Sequence, residues 1–131
     1  MGYTHYWDLK NYRGIKDDFS KAIPELRGVL EFHKDIIQYE HDDSKPPELT
    51  DNKIHLNGKG DEGAETFFFT LKKGDSCKTY SRPYDVVVCS CLLVLSKYLK
   101  KFKYSSEGEV KDWKEASEFT GVPVRFNTFN T

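Results

Sequence analysis

The chain has 131 residues, of which 31% are charged and 37% hydrophobic, with a formal net charge of −1. That length suits one domain, residues 1–131, with a real hydrophobic core. The charge balance argues against a dedicated duplex-DNA binder, which would carry a basic face. Three cysteines without framework spacing argue against a disulfide-stapled secreted fold.

In chain order, "GYTHYWDL" is rich in β-formers and predicts a strand over Gly2–Leu9. Apolar residues then follow a helical period at Ile15, Phe19, Ala22, Ile23, Leu26, Leu30, His33 and Ile37. Asp17 and Asp18 favour the first turn of this helix, and Pro24 is expected to kink it without ending it. "HDDSKPPELTDN" reads as a polar, mobile connector. Two short strands, "KIHLNG" and "ETFFFTL", follow, with Phe67 and Phe69 on one face and Phe68 on the other. A helix from about Pro83 to Lys100, capped by Thr79 or Ser81, is apolar nearly all round and should be the central buried element. Its apolar run is about half of what a bilayer span needs. "FKYSS" predicts a strand, "EGEVKDWKEASEF" a short amphipathic helix, and "VPVRFNTF" an extended tail. The expected class is α+β: a small mixed sheet on a kinked N-terminal helix and a central buried helix, with a short C-terminal helix. The N-terminus lacks the charged-then-apolar pattern of a secretory leader, so the expected location is cytosolic.

The chemistry concentrates in front of the apolar helix, in "CKTYSRPYD". A helix N-terminus exposes unpaired N–H groups and a partial positive charge, so anions bind there. Lys78, Thr79, Tyr80, Ser81 and Arg82 approach that terminus, and an arginine can grip two phosphate oxygens in parallel. The stretch therefore reads as an anion cradle, or as a helix start whose cations pair with nearby acids. Cys77 beside these cations reads as an activated nucleophile or as a buried thiol lining the ligand pocket. Cys89 and Cys91 read as buried thiols.

"THYW" sets His5 and Trp7 on one strand face and Thr4 and Tyr6 on the other. They form a polar-aromatic wall able to stack on a base, or Trp7 packs in the core while His5 finds a hydrogen-bond partner. Ser105 and Ser106 offer a second anion contact or a capped turn. His55 and Asn57 could contribute, although Asn57-Gly58 is first of all a turn signal. His33 and His41 read as surface or helix residues. No carboxylate pair, histidine cluster or metal-ligand spacing stands out in the linear sequence, so no metal or cofactor is expected.

Taken together, "MGYTHYW", "ETFFF", "CKTYSRPYD" and "SSEGE" resemble, in order, a family of small proteins of tailed phages and prophages. That family usually begins with MGYTHYW and carries a segment close to F-C-K-T-A-R-K-P-Y-D, followed by S-S-D-G. Here Ser76 stands in place of the aromatic, Tyr80 and Ser81 depart from the pattern, and Glu107 replaces Asp. The cation lost at Ser81 weakens a phosphate grip, while Tyr80 adds a stacking surface. The positions carried over are Gly2 to Trp7, Cys77, Lys78, Thr79, the cation Arg82, Pro83, Tyr84 and Asp85.

A phage setting, joined to the cradle and the aromatics, implies a counter-defence binding protein acting in the host cytoplasm. Its expected partner is a phosphorylated, nucleotide-derived small molecule. The alternatives are a small enzyme acting on such a ligand, with Cys77 or His5 as nucleophile or base, and a protein inhibitor of a host defence protein. Self-association is left open, and no membrane partner is expected.

Overall fold

A computed structural model describes residues 3–127. Strand β1 (Thr4–Leu9) turns His5, Trp7 and Leu9 inward and Thr4, Tyr6 and Asp8 outward, as a two-residue repeat requires. Helix α1 (Ile15–Phe32) starts after Gly14, whose φ of 96° a side chain would resist. It buries Ile15, Phe19, Ala22, Leu26 and Val29, a spacing that holds one stripe against the core. The helix runs unbroken through Pro24. It stops at Phe32, short of the sequence expectation, because His33 closes its end: Nδ1 of that ring lies 2.7 Å from the Val29 carbonyl. Ile37, expected on the helix, begins strand β2 (Ile37–Gln38) instead.

Strands β3 (Glu48–Leu49), β4 (Lys53–Gly58) and β5 (Phe67–Thr70) follow, with a 3-10 turn at Gly60–Glu62. β3 lies inside the segment read as a mobile connector. β4 pairs with β2, β3 and β5, all antiparallel. Strand β6 (Asp75–Lys78) was not anticipated, and it pairs with β1. The turn before it passes so close to β1 that a Cβ at Gly74 would lie 2.1 Å from the Trp7 carbonyl oxygen, so only glycine fits. Helix α2 (Asp85–Tyr98) then buries every residue from Val87 to Leu95. Strand β7 (Phe102–Ser106) pairs with the other edge of β1, and a 3-10 turn at Val110–Trp113 leads into helix α3 (Lys114–Thr120).

The α+β class and the central buried helix are as the sequence indicates. The strands divide into two antiparallel sheets, β6–β1–β7 and the group around β4. α2 packs against α1, α3 and β7. Aromatic contacts join the layers: Trp7 meets Phe67 edge-on at 5.2 Å, and Phe19 stacks on Phe69 at 5.8 Å. The tail follows β7, where Arg125 N–H donates to the Tyr104 hydroxyl at 2.7 Å. Gly2, expected in β1, and Thr128 and Phe129, expected in the tail, lie outside the described residues. Among the described residues no helix is long and apolar enough to cross a membrane.

Candidate functional site

β1 is the middle strand of its sheet, and this brings three distant stretches side by side. His5 sits opposite Cys77 on β6 and opposite Ser106 on β7. Side chains alternate, however, so the residues expected to form one wall divide between two faces. His5, Trp7, Cys77 and Ser106 share the inward side. Thr4, Tyr6, Lys78 and Ser105 belong to the outward side.

His5 is the centre of the inward side. Its side chain is 1% exposed, with Nε2 2.6 Å from Asp85 Oδ1 and Nδ1 2.8 Å from Ser106 Oγ. The Thr79 hydroxyl donates to the same Asp85 oxygen, and Cys89 Sγ lies 3.6 Å from both His5 Nε2 and Asp85 Oδ2. The Trp113 ring meets the imidazole edge-on at 5.1 Å. An ionised carboxylate only accepts hydrogen bonds, so the network assigns a proton to Nε2. Burial works against the charged form of Asp85, yet hydrogen bonds and charge from His5, with Thr79 and Cys89, hold its carboxyl below the usual carboxylate range. Burial pushes the Cys89 thiol well above its ordinary value, with the Asp85 charge adding to it.

Ser106–His5–Asp85 has the residue types of a hydrolase triad without its surroundings. Ser106 Oγ accepts the Gly108 N–H at 2.9 Å, and the Glu107 N–H is spent on the Thr4 carbonyl at 3.0 Å. With these backbone donors engaged, they cannot stabilise an oxyanion beside the serine. The chain of hydrogen bonds fixes the imidazole in place.

Asp85 and Cys89 also line a cleft of about 340 Å³ in front of α2. Ser81, Arg82 and Pro83 line it too, together with His33, Ile36, Asp112 and Glu115. Tyr80 and Ser81 precede the arginine with φ of 55° each, a left-handed pair built without glycine. Arg82 N–H donates to the Thr79 carbonyl and Asp85 N–H to that of Arg82, which tightens the turn and starts the helix two residues later than expected. Neither Thr79 nor Ser81 caps α2: the Thr79 hydroxyl goes to the Asp85 side chain, and Ser81 is left-handed.

Of the expected ligand residues, Arg82 lies at this cleft and is exposed, with no ion pair among the described residues. The expected cradle is altered, because the carboxylate of Asp85 itself sits in the first turn of α2. Trp7 is enclosed against Phe67 and offers no stacking surface. Tyr84 is fully buried, its hydroxyl donating to the Glu65 carbonyl at 2.5 Å. Cys77 is buried too, with Sγ 3.4 Å from that carbonyl, and burial pushes its thiol up to about 12. Burial therefore works against an activated thiolate at Cys77. Lys78 donates its backbone N–H to Glu65 and holds its ammonium 5.0 Å from the centre of the Tyr80 ring. Thr4 N–H and the Tyr6 hydroxyl both bond Glu107, outside the cleft.

His55 and Asn57 belong to the other sheet. His55 Nε2 lies 2.6 Å from Glu40 and its ring stacks on Tyr39 at 3.9 Å, while the Asn57 amide braces the loop before β5. Sequence reasoning missed Cys89, Asp112 and Glu115 as cleft residues and gave Asp85 no role. The four-residue spacing of Asp85 and Cys89 was the one available signal, since it sets them on one helix face. No protein-family model, curated protein or solved structure matches the chain.

Proposed function

We propose that the protein is a binding protein that captures a phosphorylated, nucleotide-derived small molecule in the cleft in front of α2. The observation that carries this reading is Arg82 at the cleft: an arginine without an ion-pair partner among the described residues, presented by two consecutive left-handed non-glycine residues. Such backbone costs on the order of 1–3 kcal/mol per residue and recurs where a side chain must be aimed. The guanidinium supplies a two-pronged grip for one phosphate.

The acidic lining of the cleft narrows the ligand class. Asp85, Asp112 and Glu115 repel a polyphosphate, while the carboxylates of Asp112 and Glu115 suit the amino and imino edge of a base. A mononucleotide or a cyclic nucleotide, with few charges and a donor-bearing base, fits that balance. The volume lies at the lower end of the range of roughly 300–1,000 Å³ typical of small-molecule sites. Capture without turnover agrees with the buried Cys77 and with the engaged donors around Ser106. The resemblance to tailed-phage proteins makes a nucleotide signal of host defence, met in the host cytoplasm, the first class to test.

Thermal unfolding against mono-, cyclic and polyphosphate nucleotides tests the reading. A ligand at 100 times its dissociation constant adds about 2.7 kcal/mol of stability. The expected result is stabilisation by a mononucleotide or cyclic nucleotide, recovered chemically intact from the denatured complex. Arg82→Ala should weaken that binding by roughly tenfold to a hundredfold, since charge-assisted hydrogen bonds contribute about 1.5–3 kcal/mol. Its melting temperature without ligand should not change. Unaltered affinity in Arg82→Ala sinks the assignment of the cleft.

A further inference from the structure

We propose that His5, Asp85 and Cys89 form a zinc site at the floor of the cleft, with one coordination position open toward solvent. This goes beyond the ligand reading and does not depend on it. The three residues offer a ring nitrogen, a carboxylate oxygen and a sulfur, all within 4.8 Å of one another. Tetrahedral zinc, with bonds of about 2.0–2.1 Å to nitrogen and oxygen and about 2.3 Å to sulfur, sets neighbouring ligand atoms roughly 3.3–3.6 Å apart. Cys89 Sγ already lies 3.6 Å from His5 Nε2 and 3.6 Å from Asp85 Oδ2. The His5 Nε2 contact of 2.6 Å runs to the other carboxylate oxygen, Oδ1, where a hydrogen bond occupies it. The metal takes the place of that proton, which moves to Nδ1, and the carboxylate turns so that one oxygen stands about 3.3 Å from Nε2 and about 3.6 Å from Sγ.

The scaffold suits the task. Asp85 and Cys89 are four residues apart on one face of α2, the spacing by which a helix presents two ligands to one metal. His5 comes from the central strand of the sheet, so all three donors stand on regular elements. Nδ1 of His5 faces Ser106 Oγ, which has lone pairs to accept the ring proton once Nε2 binds the metal. The Thr79 hydroxyl donates to Asp85 Oδ1 and so fixes the carboxylate. Asp85, with a side chain 17% exposed, and Cys89 both line the cleft, which gives the metal an entry path. One sulfur, one imidazole and one carboxylate favour zinc over the harder magnesium and calcium. Binding converts the Cys89 thiol to a thiolate and releases its proton to solvent.

Cobalt(II) reports on such a site through its visible bands and a near-ultraviolet thiolate charge-transfer band. Reduced, chelator-treated protein should bind one Co²⁺ per chain with that thiolate band, and Zn²⁺ should displace it. Cys89→Ser should remove the band and weaken binding by more than about a hundredfold, while Ser106→Ala, which of the three ligands touches only His5 and at its far ring nitrogen, should weaken it by about 10–100-fold. Cys91→Ser is the control, since Cys91 is equally buried and lies on a different face of α2. It should keep the spectrum. Circular dichroism of each variant separates loss of metal from loss of fold, and Asp85→Asn serves if Cys89→Ser fails to fold. No stoichiometric binding by wild type, or a thiolate band that survives in folded Cys89→Ser, overturns the site.

Discussion

Cys77 stands beside a lysine and five residues before an arginine, and in the linear sequence that neighbourhood reads as an activating one. In the fold its side chain belongs to the inward face of β6, away from the solvent that Lys78 and Arg82 meet. Desolvation then raises the thiol, outweighing a hydrogen bond with Tyr84, and the carboxylates of Glu65, Asp85 and Asp75 add to the rise. The expected outcome is that native protein at pH 8 leaves Cys77 unmodified by iodoacetamide, with labelling that tracks global unfolding. Peptide mass spectrometry across a denaturant series checks this. Rapid labelling under native conditions would contradict the burial. His5 shows the opposite lesson. As a lone histidine on an apolar strand face it was equally readable as a core residue, and its partners come from three other parts of the chain.

At the scale of the element, α2 is decisive because all its faces meet protein. Leu93→Ala should cost about 2–5 kcal/mol, the range for buried leucines whose surroundings cannot collapse into the space. Urea titration measures it, and a midpoint close to wild type would mean that α2 is peripheral. Ser90 on the same helix gives a contrasting expectation. Its hydroxyl is buried and has no hydrogen-bond partner among the described residues. An unsatisfied buried polar group costs on the order of 1–3 kcal/mol, so Ser90→Ala should leave stability unchanged or raise it. A loss of stability there would show that the hydroxyl has a use. The start of α2 was misplaced by two residues because Pro83 is a good first-turn residue in isolation. The tight turn through Thr79 and Arg82 absorbs it instead.

At the scale of the molecule, acid should unfold the protein through its hydrogen-bonded carboxylates. Burial acts to raise Glu40, but hydrogen bonds from Thr66 and His55 outweigh it and hold the carboxyl below its usual range. Because the folded value is depressed, this contribution is complete above the unfolded value of about 4.3 and disappears as pH falls toward the folded one. Glu40→Gln should therefore melt below wild type at pH 7, with the gap narrowing by pH 3. A gap that stays constant across that range would remove Glu40 as a source of acid sensitivity.

The sequence by itself determined what local periodicity encodes. The placing of His5 and Trp7 on one face marked a half-buried strand, the helical period through Ile15, Phe19, Ala22, Leu26 and Leu30 marked a helix, and the apolar run from Val86 to Leu95 marked the central one. These patterns are legible because burial repeats at the period of the element that carries it. Arg82 was legible as an exposed cation for the same local reason. Strand order and register were not, because hydrogen-bond pairing between β1, β6 and β7 joins residues about seventy to a hundred positions apart. Only the tertiary structure therefore decided that His5, Asp85, Cys89 and Ser106 meet, and that Trp7, Tyr84 and Cys77 serve the core. Packing chooses which face of a strand is enclosed, and composition alone cannot say which polar groups that enclosure brings into contact.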